Sequence, residues 1–319
     1  MSDFFDIIPL DTLFFRGSTP MESGMMNVVS VFPPPVSVIK GAFWTAIHSE
    51  NGDYKSGLDK DGNIPLKVTG IFIKKNDGKN LKYYTPAPAT WYYDSDKKIS
   101  IGEKLDGIKL IEAKKMPETE KLGMTSSAGD VVFVKAEKDS KSLSGAWVAL
   151  DFLKDPRVKF GKNDVLFEAD ILSKENRTNV ALDSNRNAKD GQLFSSTHLR
   201  LNECFSLVVG FEESVGLPDE GKFLFGGEKR ISKLKRIKDN ILTSFLGNSE
   251  GTQFVSLVPI EATEETVNAI VSSGKIFATA GWDLVKGFHK PTTNWIPAGA
   301  VFNNKINDSC VALKSVPAK

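Results

Sequence analysis

Helical periodicity is scarce in this sequence while short β-forming runs recur throughout, and that imbalance limits the possible folds more than any other feature. The best helical stretch is residues 36–48, where Val36, Ile39, Phe43, Ala46 and Ile47 follow the 3.6-residue period. Pro33-Pro34-Pro35 leads into it, and proline suits a first helical turn because no N–H is needed there. A second helix is read at 261–273. Gly41 costs a helix about 1 kcal/mol, so it is read as a point where another backbone or a ligand approaches closely. Strands are predicted at 3–10, 68–75, 81–85, 131–134, 147–153, 165–172, 197–211, 254–259, 275–281 and 295–303. Asn76-Asp77-Gly78 marks a hairpin turn between the second and third of these.

Many strands with few, separated helices argue an α+β fold with mainly antiparallel sheets. Each half begins strand–helix–strand, which points to two ferredoxin-like βαββαβ units, the form many RNA-recognition domains use. The expected division is 1–195 and 196–319, with a Lys/Asp/Ser-rich insertion at about 86–162 in the first unit. A segment of that length is long for a connection inside a compact domain, so part of it is expected to contact a partner.

Composition removes several classes. With 40% hydrophobic and 25% charged residues, the 319-residue chain is neither disordered nor fibrous. No run approaches the roughly 20 apolar residues of a membrane span. Asp3 and Asp6 stand where a secretory signal has lysines. Cys204 and Cys310 are too few for a disulfide scaffold or a zinc site. The expectation is a cytoplasmic protein without metal, cofactor or membrane.

Charge is balanced overall, with 41 basic and 40 acidic residues, which excludes a globally basic nucleic-acid binder. Locally it is not balanced. Between 222 and 238, Lys222, Lys229, Arg230, Lys233, Lys235, Arg236 and Lys238 face Glu228 alone, and an anionic partner is expected there first.

No catalytic constellation emerges. His48, His198 and His289 are isolated from ligand-spaced partners. Residues 216–223 nearly match a phosphate-binding P-loop, but Phe223 stands where a Ser or Thr must reach magnesium, and Asp219 and Glu220 repel phosphate. That stretch reads as a surface loop. Gly226-Gly227-Glu228-Lys229-Arg230 is more informative, because paired glycines expose backbone N–H groups and two cations follow. Glu228, beside such a site, is read as orienting Lys229 or Arg230, or as capping a following helix. Arg177 and Asn179, then Arg186 and Arg200, add further donors. Trp282 with Lys286 and Lys290 mixes an aromatic ring with cations, as base stacking on a phosphate-bound strand needs.

In order along the chain, these segments resemble the RAMP-superfamily third subunit of the Cmr complex, the type III-B CRISPR RNA-guided effector. Residues 9–16, with Arg16 closing an "FR" end, and 32–41 resemble that family's first strand and Pro-led helix. Arg177, Ala181-Leu182-Asp183, Gly191-Gln192-Leu193-Phe194 and His198-Leu199-Arg200 resemble its central arginine–"LD"–"GxLY"–"LR" block. Phe225-Gly226-Gly227-Glu228-Lys229-Arg230 resembles its "LGGE-x-R" element. Gly281-Trp282-Asp283, Lys290-Pro291 and 296–301 resemble its "GWD … KP … PPGSV" ending. Phe194 replaces the usual Tyr, and residues 309–315 lack the usual closing glycine-rich loop.

The resemblance implies a non-catalytic subunit that holds the repeat-derived 5′ tag of the guide RNA. It also implies docking against the large polymerase-like subunit and the first backbone subunit. The RNA contacts so implied are Arg16, Ser37 and Lys40 near the first helix, Arg177, Asn179, Arg186 and Arg200 in the central block, and Gly226, Gly227, Lys229 and Arg230. Trp282, Lys286 and Lys290 complete the set. Two alternatives stay open: a guide-RNA-processing endoribonuclease using His48 or His198, and a scaffold that binds protein only.

Overall fold

The computed structural model describes residues 2–17, 27–49, 52–60, 62–95, 104–115, 132–133, 139–248, 250–279, 282–283, 288–289 and 291–317. The elements used below are β1 (Asp3–Pro9), β2 (Asn27–Val29), α1 (Val36–Ile47), β3 (Val68–Asn76), β4 (Leu81–Pro86), β5 (Trp147–Ala149) and β6 (Val165–Leu166). They continue with β7 (Leu172–Leu182), β8 (Ala188–Leu201), β9 (Phe205–Phe211), β10 (Glu220–Leu224) and β11 (Ile231–Ile237). Eight of these strands form one sheet in the order β6-β5-β4-β3-β9-β1-β11-β10, antiparallel at every pairing. A second sheet, β7-β8-β2, is a long hairpin with β2 added in parallel.

β1 sits between β9 and β11 because its DFFDIIP run is apolar enough to be covered on both faces. On one face α1 lays Phe43 against Phe5, Phe211 and Phe223, with ring centroids 5.4, 4.7 and 5.4 Å away. On the other, Phe72 meets Phe4 and Phe245, the latter on the helix Ile241–Leu246. Strands Ile270–Ser272, Val301–Phe302, Phe254–Ser256 and Cys310–Ala312 form a four-stranded sheet whose Val255, Val301 and Val311 join the same core. Phe254, Ile260, Ile296, Phe302 and Cys310 build a smaller satellite core. No helix among the described residues is long and apolar enough to cross a membrane.

Several sequence expectations are met. α1 begins directly after Pro35, and the β3–β4 hairpin turns at Asn76-Asp77-Gly78, with Gly78 at φ +83°. Mainly antiparallel sheets with few helices are what the structure shows.

Other expectations are corrected. The boundary at 195/196 falls inside β8, and β1 and β3 pair with β9 and β11 from beyond it, so one sheet spans the expected division. Two complete βαββαβ units are not found among the described residues. The strands β3-β9-β1-β11 are connected through one helix, α1, and the link between β9 and β11 holds β10. Cross-strand pairing with β11 claims that link for the sheet. Of the expected helix 261–273, only Glu264–Asn268 is helical, because Ile270–Ser272 pairs with Val301–Phe302 and pairing overrides local periodicity. The expected strand 197–211 breaks at Cys204, which adopts φ +69°. Phe223, read as loop, is buried in β10. β5, from the expected insertion, belongs to the main sheet, and Trp91–Asp94, Leu110–Glu112 and Ser140–Ser142 make a small sheet beside it. A Cβ on Gly41 would meet nothing within 4 Å, so no close approach within the chain explains that glycine.

Phe43 joins α1 to three strands at once. Phe43→Ala is expected to cost about 3–5 kcal/mol, read as a lower urea midpoint with unchanged slope.

Candidate nucleic-acid interface

The site is built on the β7–β8 hairpin, where side chains alternate between faces. Glu175 lies opposite His198, Arg177 opposite Ser196 and Asn179 opposite Phe194, which places Glu175, Arg177, Asn179, Ser196, His198 and Arg200 on one face. The chain leaving β1 runs beside β8. Leu13 and Leu199 exchange backbone hydrogen bonds of 2.7 and 2.9 Å, and this aligns Asp11 and Thr12 with the same face. The third component is the turn from Phe225 to Arg230, closed by Phe225 N–H donating to Arg230 O at 2.8 Å.

These three segments bring three arginines onto three carboxylates. Arg200 donates through Nε to Glu175 and through Nη2 to Asp11 Oδ1 at 3.2 Å. Arg230 donates to Asp11 Oδ2 at 2.6 Å and to Glu228 Oε2 at 2.8 Å. Arg177 lies 3.5 Å from Glu175 and 3.9 Å from Asp11. Hydrogen bonding to the Thr12 N–H, with Arg230 and Arg177 nearby, holds Asp11 below the usual carboxylate range against the opposing effect of burial. The Arg200 hydrogen bond does the same for Glu175. Beneath them His198 is fully buried, stacked on Phe14 at 5.0 Å and set between Thr12 Oγ1 (3.3 Å) and Ser196 Oγ (3.1 Å). Asn179 Nδ2 donates to that same Ser196 Oγ at 3.2 Å. Burial lowers the His198 pKa below its ordinary 6.5, outweighing Glu228 Oε1 at 3.5 Å.

At the Gly226-Gly227 turn, a backbone donor that the sequence reading offers to phosphate is used within the chain. Gly227 N–H donates to Phe14 O at 2.8 Å, and a Cβ on Gly226 would stand 2.8 Å from that same oxygen. The glycines make room for the chain's own Phe14 carbonyl and the rings of Phe14 and Phe15. Glu228 and Lys229 follow with φ +57° and +53°, a conformation costing about 1–2 kcal/mol per residue. Glu228 does orient Arg230, as expected, and Lys229 is exposed.

The other expected contacts are dispersed. Arg16 bridges to Ser30 beside β2, and Ser37 and Lys40 stand on α1. Arg186 occupies the hairpin tip at φ +66°, roughly 20 Å along the strands from Arg177 at about 3.3 Å per residue. Trp282 lies in the short strand Trp282–Asp283, while Lys286 and Lys290 fall outside the described residues. The basic run is partly neutralised: Lys235 pairs with Glu220 at 2.9 Å, Lys238 with Asp219 at 2.6 Å, and Arg236 with Asp3 and Asp219. Sequence reading missed Asp11, Thr12, Glu175 and Ser196. The alternation Glu175-x-Arg177-x-Asn179 against Ser196-x-His198-x-Arg200 is the signal that exposes two of them.

A family model described as CRISPR-associated protein (Cas_Cmr3) matches residues 5–253. The chain belongs to this family. It is a subunit of the Cmr, type III-B, class of CRISPR effector complexes. Among solved structures, a chain of the Type III-B Cmr-beta complex bound to cognate target RNA and AMPPnP is 19% identical, with a TM-score of 0.55. The match covers 94% of this chain and 85% of that one, and shows a shared fold. A chain of the same complex bound to cognate target RNA is 18% identical with a TM-score of 0.54, over 94% and 86% of the two chains. No curated protein matches by sequence.

Two outcomes follow for this Cas_Cmr3 site. Gly226→Ala is expected to destabilise the fold by about 1–3 kcal/mol, since it forces a side chain at φ +86° against Phe14 O. The second concerns pH. Unfolded His198 takes up a proton near 6.5 that the folded form binds only at lower pH, so stability should fall as pH drops below about 6.5. In His198→Gln that slope should vanish, leaving only the carboxylate-linked loss at lower pH, measured by urea unfolding from pH 7.5 to 4.

Proposed function

We propose that this Cas_Cmr3 chain is a non-catalytic subunit that holds the repeat-derived 5′ tag of the guide RNA and docks the large polymerase-like subunit and the backbone RAMP subunit. The observation that carries the RNA half is the convergence of Arg177, Arg200 and Arg230, with exposed Lys229, on one hairpin face. Guanidinium forks match phosphate oxygens bidentately. RNA phosphates take the places that Asp11, Glu175 and Glu228 occupy in the free chain, so binding exchanges one set of anions for another. The pairs of the more exposed Arg177 and Arg200 are worth only about 0–1 kcal/mol each, which makes that part of the exchange inexpensive. In this reading the β3-β9-β1-β11 strands with α1 form a ferredoxin-derived unit presenting the hairpin to RNA.

The cleavage alternative draws less support. His198 is fully buried with a hydroxyl at each ring nitrogen, and His48 packs on Trp44 at 4.3 Å.

The test is binding of an RNA carrying the repeat-derived 5′ end, measured across salt concentrations. Arg230→Ala and Arg200→Ala should each weaken binding about tenfold and flatten the salt slope by about one unit. Glu175→Gln should strengthen binding, because it removes a competitor for two arginines. Unchanged affinity and slope in folded arginine variants would place the RNA elsewhere.

A further inference from the structure

The main sheet turns a second surface outward at its β10 edge. Along β1, β11 and β10, the residues that alternate with buried Phe5, Ile7, Leu234 and Phe223 point away from α1. Their register makes a grid. Leu10 donates its N–H to Ile231 O, and Ile231 lies opposite Leu224, so three large aliphatic side chains stand in one row across the strands. They are 49, 47 and 46% exposed. The next row is Ile8, Lys233 and Lys222, and the row after it is Asp6, Lys235 and Glu220.

The two rows nearest the edge are unfinished in different ways. Contiguous exposed aliphatics mark a contact surface, not scattered surface leucines. Lys222 and Lys233 sit directly opposite one another, a like-charge pairing that destabilises an antiparallel ladder. Neither has an ion pair among the described residues, whereas Lys235 in the following row is paired with Glu220 at 2.9 Å. Carboxylates brought by another molecule relieve that repulsion. RNA fits the rows poorly: single-stranded bases stack on aromatic rings, and this grid has none. Of the three aliphatics a strand added to the β10 edge would reach only Leu224, and of the two lysines only Lys222, so the occupant that covers both rows lies face-on across all three strands.

We propose that this face docks a partner protein, one whose apolar contact seats on Leu10, Ile231 and Leu224 and is flanked by carboxylates that meet Lys222 and Lys233. The inference rests on the chain being a complex subunit and is independent of where the RNA binds.

The test uses the full chain with the other purified subunits of its complex and guide RNA. Lys222→Glu/Lys233→Glu and Ile231→Glu should each weaken association with one neighbouring subunit at least tenfold, while RNA affinity of the chain alone stays within twofold. The double reversal should also reverse the salt dependence of that association. Leu224→Ser serves as the milder variant, and thermal unfolding checks that each variant is folded. A photo-crosslinker at position 231 should label an acidic, apolar segment of that subunit. Unchanged assembly in folded variants, crosslinks confined to the chain itself, or a loss of RNA affinity with assembly intact would each overturn the proposal. Failure of the arginine variants to affect RNA would sink the RNA reading and leave this one standing.

Discussion

The hydrogen bonds between Leu13 and Leu199 hold the molecule's functional geometry together. They join the segment leaving β1, an interior strand of the main sheet, to β8, the middle strand of the second sheet. From that junction Phe14 reaches both ways, stacking on His198 and accepting the Gly227 N–H. Phe15 packs against Phe225 at 5.2 Å. The hairpin, the glycine turn and the sheet therefore share one short stretch of backbone, and Asp11 stands at its start.

That placement explains the electrostatics. Asp11 touches Arg177, Arg200 and Arg230, which come from positions far apart in the chain. With His198 neutral, the three arginines and three carboxylates cancel. Under the proposed RNA reading, a cluster ordered by its own carboxylates would leave its guanidinium groups little freedom to lose on meeting phosphate. The same balance keeps it from acting as an indiscriminate cationic patch.

The main sheet gives its two faces different fates near β10. One is sealed by α1 through Phe43, and the other shows aliphatic and lysine rows at the same strands. Alternation along a strand makes this division unavoidable: fixing Phe5, Leu234 and Phe223 inward fixes Ile8, Lys233 and Lys222 outward.

The sequence by itself determined what is encoded within about ten residues. The Pro-led α1, the Asn76-Asp77-Gly78 hairpin, the antiparallel character and the motifs shared with the Cas_Cmr3 family were all legible there. So were several of the residues that meet at the candidate site: Arg177, Asn179, Arg200, Gly227 and Arg230. Only the tertiary structure decided what they meet. Asp11 and Glu175 became arginine partners, and the glycine turn admitted Phe14. Strands from beyond residue 200 completed the sheet around β1, so that one sheet spans the expected boundary. Periodicity and capping are local, whereas strand register is chosen by burial among segments some 200 residues apart, and no short window of sequence carries that choice.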